Sequence, residues 1–308
     1  MRHLHVLLVL LALSLIIGCG GPKVNAKPSH LTQGMKAIQK GIAAYQQGCY
    51  HRSLDHFFKA HEYFTVSDQL GGVAMSMNNI GNVYRFIGDP ESAGLFFDEA
   101  IGIYLGLENE TGALQALSNK AALLIDLDQL EAAQDTLRQA ESLKGDKKAT
   151  AGLLNNKGVL LIKQDAFGPA KEMLHRGLDL VSPDDLHEYA TLNFSLGRLM
   201  LTTNRLDLAL SHFNSALQSD RQQGFHKGIA DDLAALGSVY LAQSRYDMAV
   251  GYLQRSIKIY ALLENKARVD ETLQQLESAA AKAGLDIRVT QLFVERWLAG
   301  KVLESPCK

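Results

Sequence analysis

Apolar and small residues recur along this chain at one long, nearly constant interval. NNIGNVYRFIGD, residues 78–89, shares its outline with NNKGVLLIKQDA from Asn155, FSLGRLMLTTNR from Phe194 and AALGSVYLAQSR from Ala234. Aligned on the small residue of each segment, the rows begin at Gly41, Gly81, Ala121, Gly158, Gly197 and Gly237, spaced 40, 40, 37, 39 and 40. Twelve positions on comes a second small residue: Ser53, Ala93, Ala133, Ala170, Ala209, Ala249. Four further on the residue is large and apolar (Phe57, Phe97, Leu137, Leu174, Phe213, Leu253), and three beyond that it is small again (Ala60, Ala100, Ala140, Gly177, Ala216, Ser256). Between the two halves, seven positions after the first small residue, stand Gly48, Gly88, Asp128, Asp165, Asn204 and Ser244, types that end helices or form tight turns.

Each unit therefore predicts a helix, a short turn and a second helix. Asp89 before Pro90, and Gly168 before Pro169, mark starts of second helices with a capping-type residue and a first-turn proline. Small residues let antiparallel helices approach closely, and the Phe/Leu column fills the space beside them. One hairpin cannot bury both of its faces, so hairpins must stack. Six units are expected over residues 34–265, at about 34–67, 74–107, 114–147, 151–184, 190–223 and 230–263, with capping helices in 266–308. An echo supports duplication: Ile101, Ile103, Tyr104, Leu107, Glu108 and Asn109 recur 156 residues later as Ile257, Ile259, Tyr260, Leu263, Glu264 and Asn265.

The columns resemble the tetratricopeptide repeat, in Leu236-Gly237, Tyr240 and Ala249, and in Ile80-Gly81, Tyr84, Ala93 and Phe97. The long period and the Asn-Asn-Ile-Gly wording resemble the longer-repeat subgroup of kinesin light chains and bacterial peptide sensors. The resemblance implies an all-α, right-handed superhelical solenoid whose concave face binds a protein or an extended peptide. Its first helices would line that face with Asn78, Asn82 and Arg85, with Gln115 and Asn119, with Asn155, and with Thr191 and Arg198. An Asn amide offers donors and an acceptor to a peptide backbone of any sequence. For Asn79, Asn119, Asn156 and Asn193 a role tying neighbouring helices is an equal alternative. Trp297 has two readings, part of the cap or an anchor for a partner.

The N-terminal segment is a separate instruction. Leu4 to Ile17 is a 14-residue apolar run behind Arg2, too short to span a bilayer and typical of a signal-peptide core. Its end, Ile16-Ile17-Gly18-Cys19, resembles the lipobox of bacterial lipoproteins, which implies removal of residues 1–18, lipidation of Cys19 and a tether over 19–33. Gly20 after the cysteine implies the periplasmic face of the outer membrane rather than the inner membrane.

Composition narrows the rest. Lys and Arg number 31 against 33 Asp and Glu, which leaves no footprint for nucleic acid. The three cysteines, Cys19, Cys49 and Cys307, make neither a disulfide framework nor a zinc site. An elongated stack would set Cys49 and Cys307 near opposite ends, so no bridge between them is expected. His51, His56 and His61 rotate away from one another on a helix, Asp126 and Asp128 read as turn residues, and no nucleophile or phosphate-binding motif occurs. No catalytic residue, metal, cofactor or small-molecule substrate is expected. The sequence reads as a lipid-anchored scaffold, with a pilotin-like assembly factor for a secretin, pilus or outer-membrane complex, and a peptide-sensing regulator, as alternatives.

Overall fold

The computed structural model describes residues 29–143, 150–182, 184–302 and 307. Among these, fourteen helices and no strand occur. Six hairpins follow one another: α1 (Ser29–Gln46) with α2 (Tyr50–Val66), α3 (Leu70–Ile87) with α4 (Pro90–Gly106), α5 (Glu110–Asp126) with α6 (Leu130–Ser142), α7 (Ala151–Lys163) with α8 (Phe167–Leu178), α9 (Leu186–Thr202) with α10 (Leu206–Gln223), and α11 (His226–Ala242) with α12 (Tyr246–Leu262). Helices α13 (Lys266–Ala283) and α14 (Arg288–Leu298) close the stack. The first helix begins at Ser29, inside the segment expected to be tether. Cys19 and the lipobox lie outside the described residues.

The turn column has a backbone reason. Gly48, Gly88, Asp128, Asp165, Asn204 and Ser244 all take positive φ, between 55° and 84°, so each reverses the chain in the left-handed region. Asp89 accepts a hydrogen bond from Ser92 N and is followed by Pro90 at the first helical position, as expected. Helix α8 starts at Phe167, ahead of Gly168 and Pro169. A proline in the first turn lacks only an N–H that the helix leaves unused.

The hairpin seam differs from small against small. The large residue lies directly over the first-helix glycine: an added Cβ on Gly81 would fall 2.7 Å from Phe97, on Gly158 2.6 Å from Leu174, on Gly197 2.7 Å from Phe213 and on Gly237 2.7 Å from Leu253. The small residue of the second helix lets its backbone close in beside that ring, with Ala93 O 3.2 Å from the same point on Gly81. Ser53 tightens the first seam by donating to Gly41 O at 2.8 Å. The last small column is fully buried at Ala60, Ala100, Ala216 and Ser256, and in the sixth hairpin it faces the first helix of its own unit. Ser256 donates to Ala230 O at 2.7 Å.

The stack closes on itself. Cys49 and Cys307 are bonded as a disulfide with Cα atoms 5.0 Å apart, contrary to the expectation that they lie at opposite ends. Stacked hairpins rotate a little at every step, and six steps return the sixth hairpin to the first. The ring of Tyr45 stacks on Phe225 at 6.2 Å, His226 Nδ1 lies 3.2 Å from Gln47 O, and an added Cβ on Gly48 would come within 2.5 Å of Leu263. Trp297 packs beside Phe293, centroids 5.4 Å apart, against the core under the last hairpin, the capping role of its two readings.

Candidate functional site: the inner face of the ring

First helices face the inside. Side chains from α1, α3, α5, α9, α11 and α13 act on one another across it: Tyr45 feels Arg85 and Asp231, and Arg198 feels Asp126, Asp231 and Arg268. At the closure, Tyr45 meets Tyr50 and Phe86 edge-on, Tyr50 stacks on Phe86, and Lys227 Nζ stands 4.8 Å over the Phe86 ring. Burial pushes the Tyr45 hydroxyl far above its ordinary range, so it stays protonated.

Much of the charge on this face is paired. Arg85 Nε meets Asp126 Oδ2 at 2.7 Å, joining adjacent first helices. Asp231 takes Lys227 at 2.5 Å, Arg268 at 3.4 Å and the Tyr260 hydroxyl. Burial by itself would raise the Asp231 carboxyl, but Lys227 and Arg268 outweigh it and hold the group below its usual value. Here the duplication echo diverges. Tyr104 lies over Gly112, whereas its counterpart Tyr260 carries Arg268 above its ring at 5.2 Å.

The amides divide into ties and free groups. Asn119 Nδ2 donates to Asn78 Oδ1 at 3.0 Å, and Asn156 Nδ2 to Ser118 O at 2.8 Å, so both couple successive hairpins. Asn79 donates to Met75 O within its own helix, and Asn193 donates to Tyr189 O and faces His212. Thr191 donates to His187 O. Among the described residues, Asn82, Gln115, Asn155 and Arg198 make no hydrogen bond or ion pair with another side chain or the backbone. Arg198 is half-buried, and that burial lowers its pKa, with Asp126 and Asp231 opposing. Arg85, Asn78, Asn119 and Arg198 thus share one interior with Asn82 and Asn155, but Arg85, Asn78 and Asn119 are already engaged.

Sequence reasoning missed Tyr45, Phe86, Lys227, Glu188 and Arg268. Tyr45 occupies the same column as Arg85, four after the seam glycine, and Glu188 lies three before Thr191. Applying the stripe to the first hairpin would have included Tyr45, and extending it by one turn in the fifth would have included Glu188. No described group of His, Cys, Asp and Glu could hold a metal, and no described helix is long and apolar enough to cross a membrane.

Models of the tetratricopeptide repeat match residues 188–262, and also 75–105 and 114–147, so the chain contains these repeats. The Anaphase-promoting complex subunit CDC16 of Saccharomyces cerevisiae is 23% identical over 250 residues, which is 76% of this chain. The chain spans only 27% of that relative's length. Among solved structures, a Rap protein complexed with competence and sporulation factor overlays with a TM-score of 0.57 at 16% identity, covering 83% of this chain and 77% of that one. Aspartyl phosphate phosphatase F from Bacillus subtilis overlays with a TM-score of 0.51 at 15% identity, covering 83% and 73%. These likenesses establish the fold, an all-α solenoid of tetratricopeptide hairpins.

Proposed function

We propose that the chain is a lipid-anchored scaffold of the bacterial envelope that holds a protein or an extended peptide against the inner face of its ring. The observation that carries this reading is the set of polar side chains left without partners there: Asn82, Asn155 and Arg198 on three different first helices. A face whose only task was to pack would place apolar or paired groups at these positions. The Cys49–Cys307 disulfide supports an oxidising compartment outside the cytoplasm. The lipobox at Ile16 to Cys19 supports a lipid anchor, and Gly20 after it supports the outer membrane.

A photocrosslinking residue at Gln115, exposed on α5, tests the groove. The expected result is a specific adduct in cells that disappears in the combined Asn82→Ala, Arg198→Ala variant and is absent when the probe is placed at Glu99 on the second helix of its hairpin. An adduct of equal yield in that variant contradicts the reading. Incorporation of labelled palmitate into the wild type and none into Cys19→Ser is expected of the anchor, and no incorporation in either rejects it.

A second reading, a peptide-responsive regulator, is favoured by the closure itself. The Rap protein, a similar solenoid, is complexed with competence and sporulation factor. A ring held by Tyr45 on Phe225 and Gln47 on His226 has a contact that a ligand could displace.

A further inference from the structure

Two acceptors on the inner face of the fourth and fifth hairpins have no donor. Asn155 is 7% exposed and its Oδ1 is unpartnered. Glu188 Oε2 is also shut away from solvent with no donor. The two belong to one patch. Gly152 and Asn155 lie three apart on α7 and share a face. Glu188 Oε1, reaching over from α9, sits 3.4 Å from where a Cβ on Gly152 would be.

The repeat explains why Asn155 is orphaned. In the second and third hairpins the equivalent oxygen, Asn78 Oδ1, receives Asn119 Nδ2. In the fourth and fifth, the position of Asn119 is held by Ser195, whose side chain is too short to supply that donor. Thr191, the nearest hydroxyl on the α9 stripe, already donates to His187 O. Among the described residues no cation pairs with Glu188. Burial raises its carboxyl pKa, and Asp185 one turn away raises it further.

A patch with two unpartnered buried acceptors, one of them on a carboxylate, calls for a ligand group with several N–H donors and a positive charge. Three oxygens are too few for Ca²⁺, which takes six to eight. We propose that Asn155 and Glu188 form a subsite for a cationic group of the peptide held in the groove, either its α-ammonium or a Lys or Arg side chain. Such a group would give Oδ1 and the carboxylate their missing donors in a charge-assisted contact. This inference rests on the groove being a peptide site.

The probe is a randomised heptapeptide library, one half with free and one half with acetylated N-termini, selected on the full chain under non-reducing conditions. The expected pool is enriched in cationic groups. Enrichment confined to free N-termini identifies the α-ammonium, and enrichment of Lys or Arg in both halves identifies a side chain. Recovered peptides should bind Glu188→Gln at least tenfold more weakly, while neutral analogues, acetylated or with norleucine for lysine, bind variant and wild type alike. Matching thermal melts show that this near-isosteric variant is folded. A recovered pool without cationic preference, or cationic peptides that bind Glu188→Gln as tightly as wild type, overturns the subsite and leaves the groove standing. Failure of the folded protein to retain any peptide contradicts the groove reading and removes this inference with it.

Discussion

Cys49, which leads into α2, and Cys307, near the C-terminus, are 258 positions apart in sequence yet joined by a disulfide. The bond fastens the tail beyond the cap to the first hairpin, at the same place where Tyr45 and Gly48 meet Phe225 and Leu263. A covalent link closing so long a loop restricts the unfolded chain, and such bonds typically contribute about 2–4 kcal/mol. Cys307→Ser should lower stability by an amount of that order in chemical denaturation. Peptide mapping of the unreduced wild type should recover residues around 49 and 307 as one linked species.

The seam predicts a contrast between two glycines of the last hairpin. Gly237 has Leu253 pressed onto it, whereas nothing lies within 4 Å of a Cβ on Gly251. Gly237→Ala should cost about 1–3 kcal/mol through overpacking. Gly251→Ala should instead stabilise by up to about 1 kcal/mol, the helix-propensity difference. Thermal midpoints of the two variants, moving in opposite directions, are the check.

Asp231 is the hub of the charge cluster near the closure. Asp231→Ala leaves Lys227, Arg268 and the Tyr260 hydroxyl without their common acceptor. For partly buried charge-assisted bonds the cost is about 2–3 kcal/mol. The exposed pair Asp286 with Arg288 provides the control, since Asp286→Ala should leave the denaturation midpoint almost where it was.

Asp220 and Asp232 meet in the interface between α10 and α11, 5% and 1% exposed, with the Asp220 carboxyl filling the space where Gly228 has no side chain. Burial raises both pKa values; Asp220 and Asp231 raise Asp232 further, whereas hydrogen bonds from Gln223 and Asp232 relieve Asp220 in part and Lys227 opposes the rise at both. The folded protein therefore holds protons that the unfolded chain releases above about pH 4. Stability should fall as pH rises from there through neutrality. Asp232→Asn should flatten that slope, as measured by denaturation midpoints at pH 5 and pH 9.

The hairpins were legible because each column is stated six times. Gly48 through Ser244 had to be turn residues and prove to be left-handed, and Gly158 had to be covered and is. The closure was not legible. Curvature is the sum of small rotations between hairpins, and Tyr45 on Phe225 or Cys49 with Cys307 occurs once, with no period to reveal it. The polar inner face was legible in part. The stripes placed Asn78, Asn155 and Arg198 correctly on first helices, but whether an amide is spent depends on its neighbour's reach, as Asn119 and Ser195 illustrate.

The account depends on a ring whose first and last hairpins touch. Spin labels attached by non-cysteine chemistry at Gln47 and Glu264, both exposed, measure this directly with the disulfide intact. Contact between Gly48 and Leu263 predicts a single short separation, about one helix spacing of ~10 Å extended by the label arms. A distribution centred at several times that distance would mean an open stack, and would contradict the closed inner face on which the site is built.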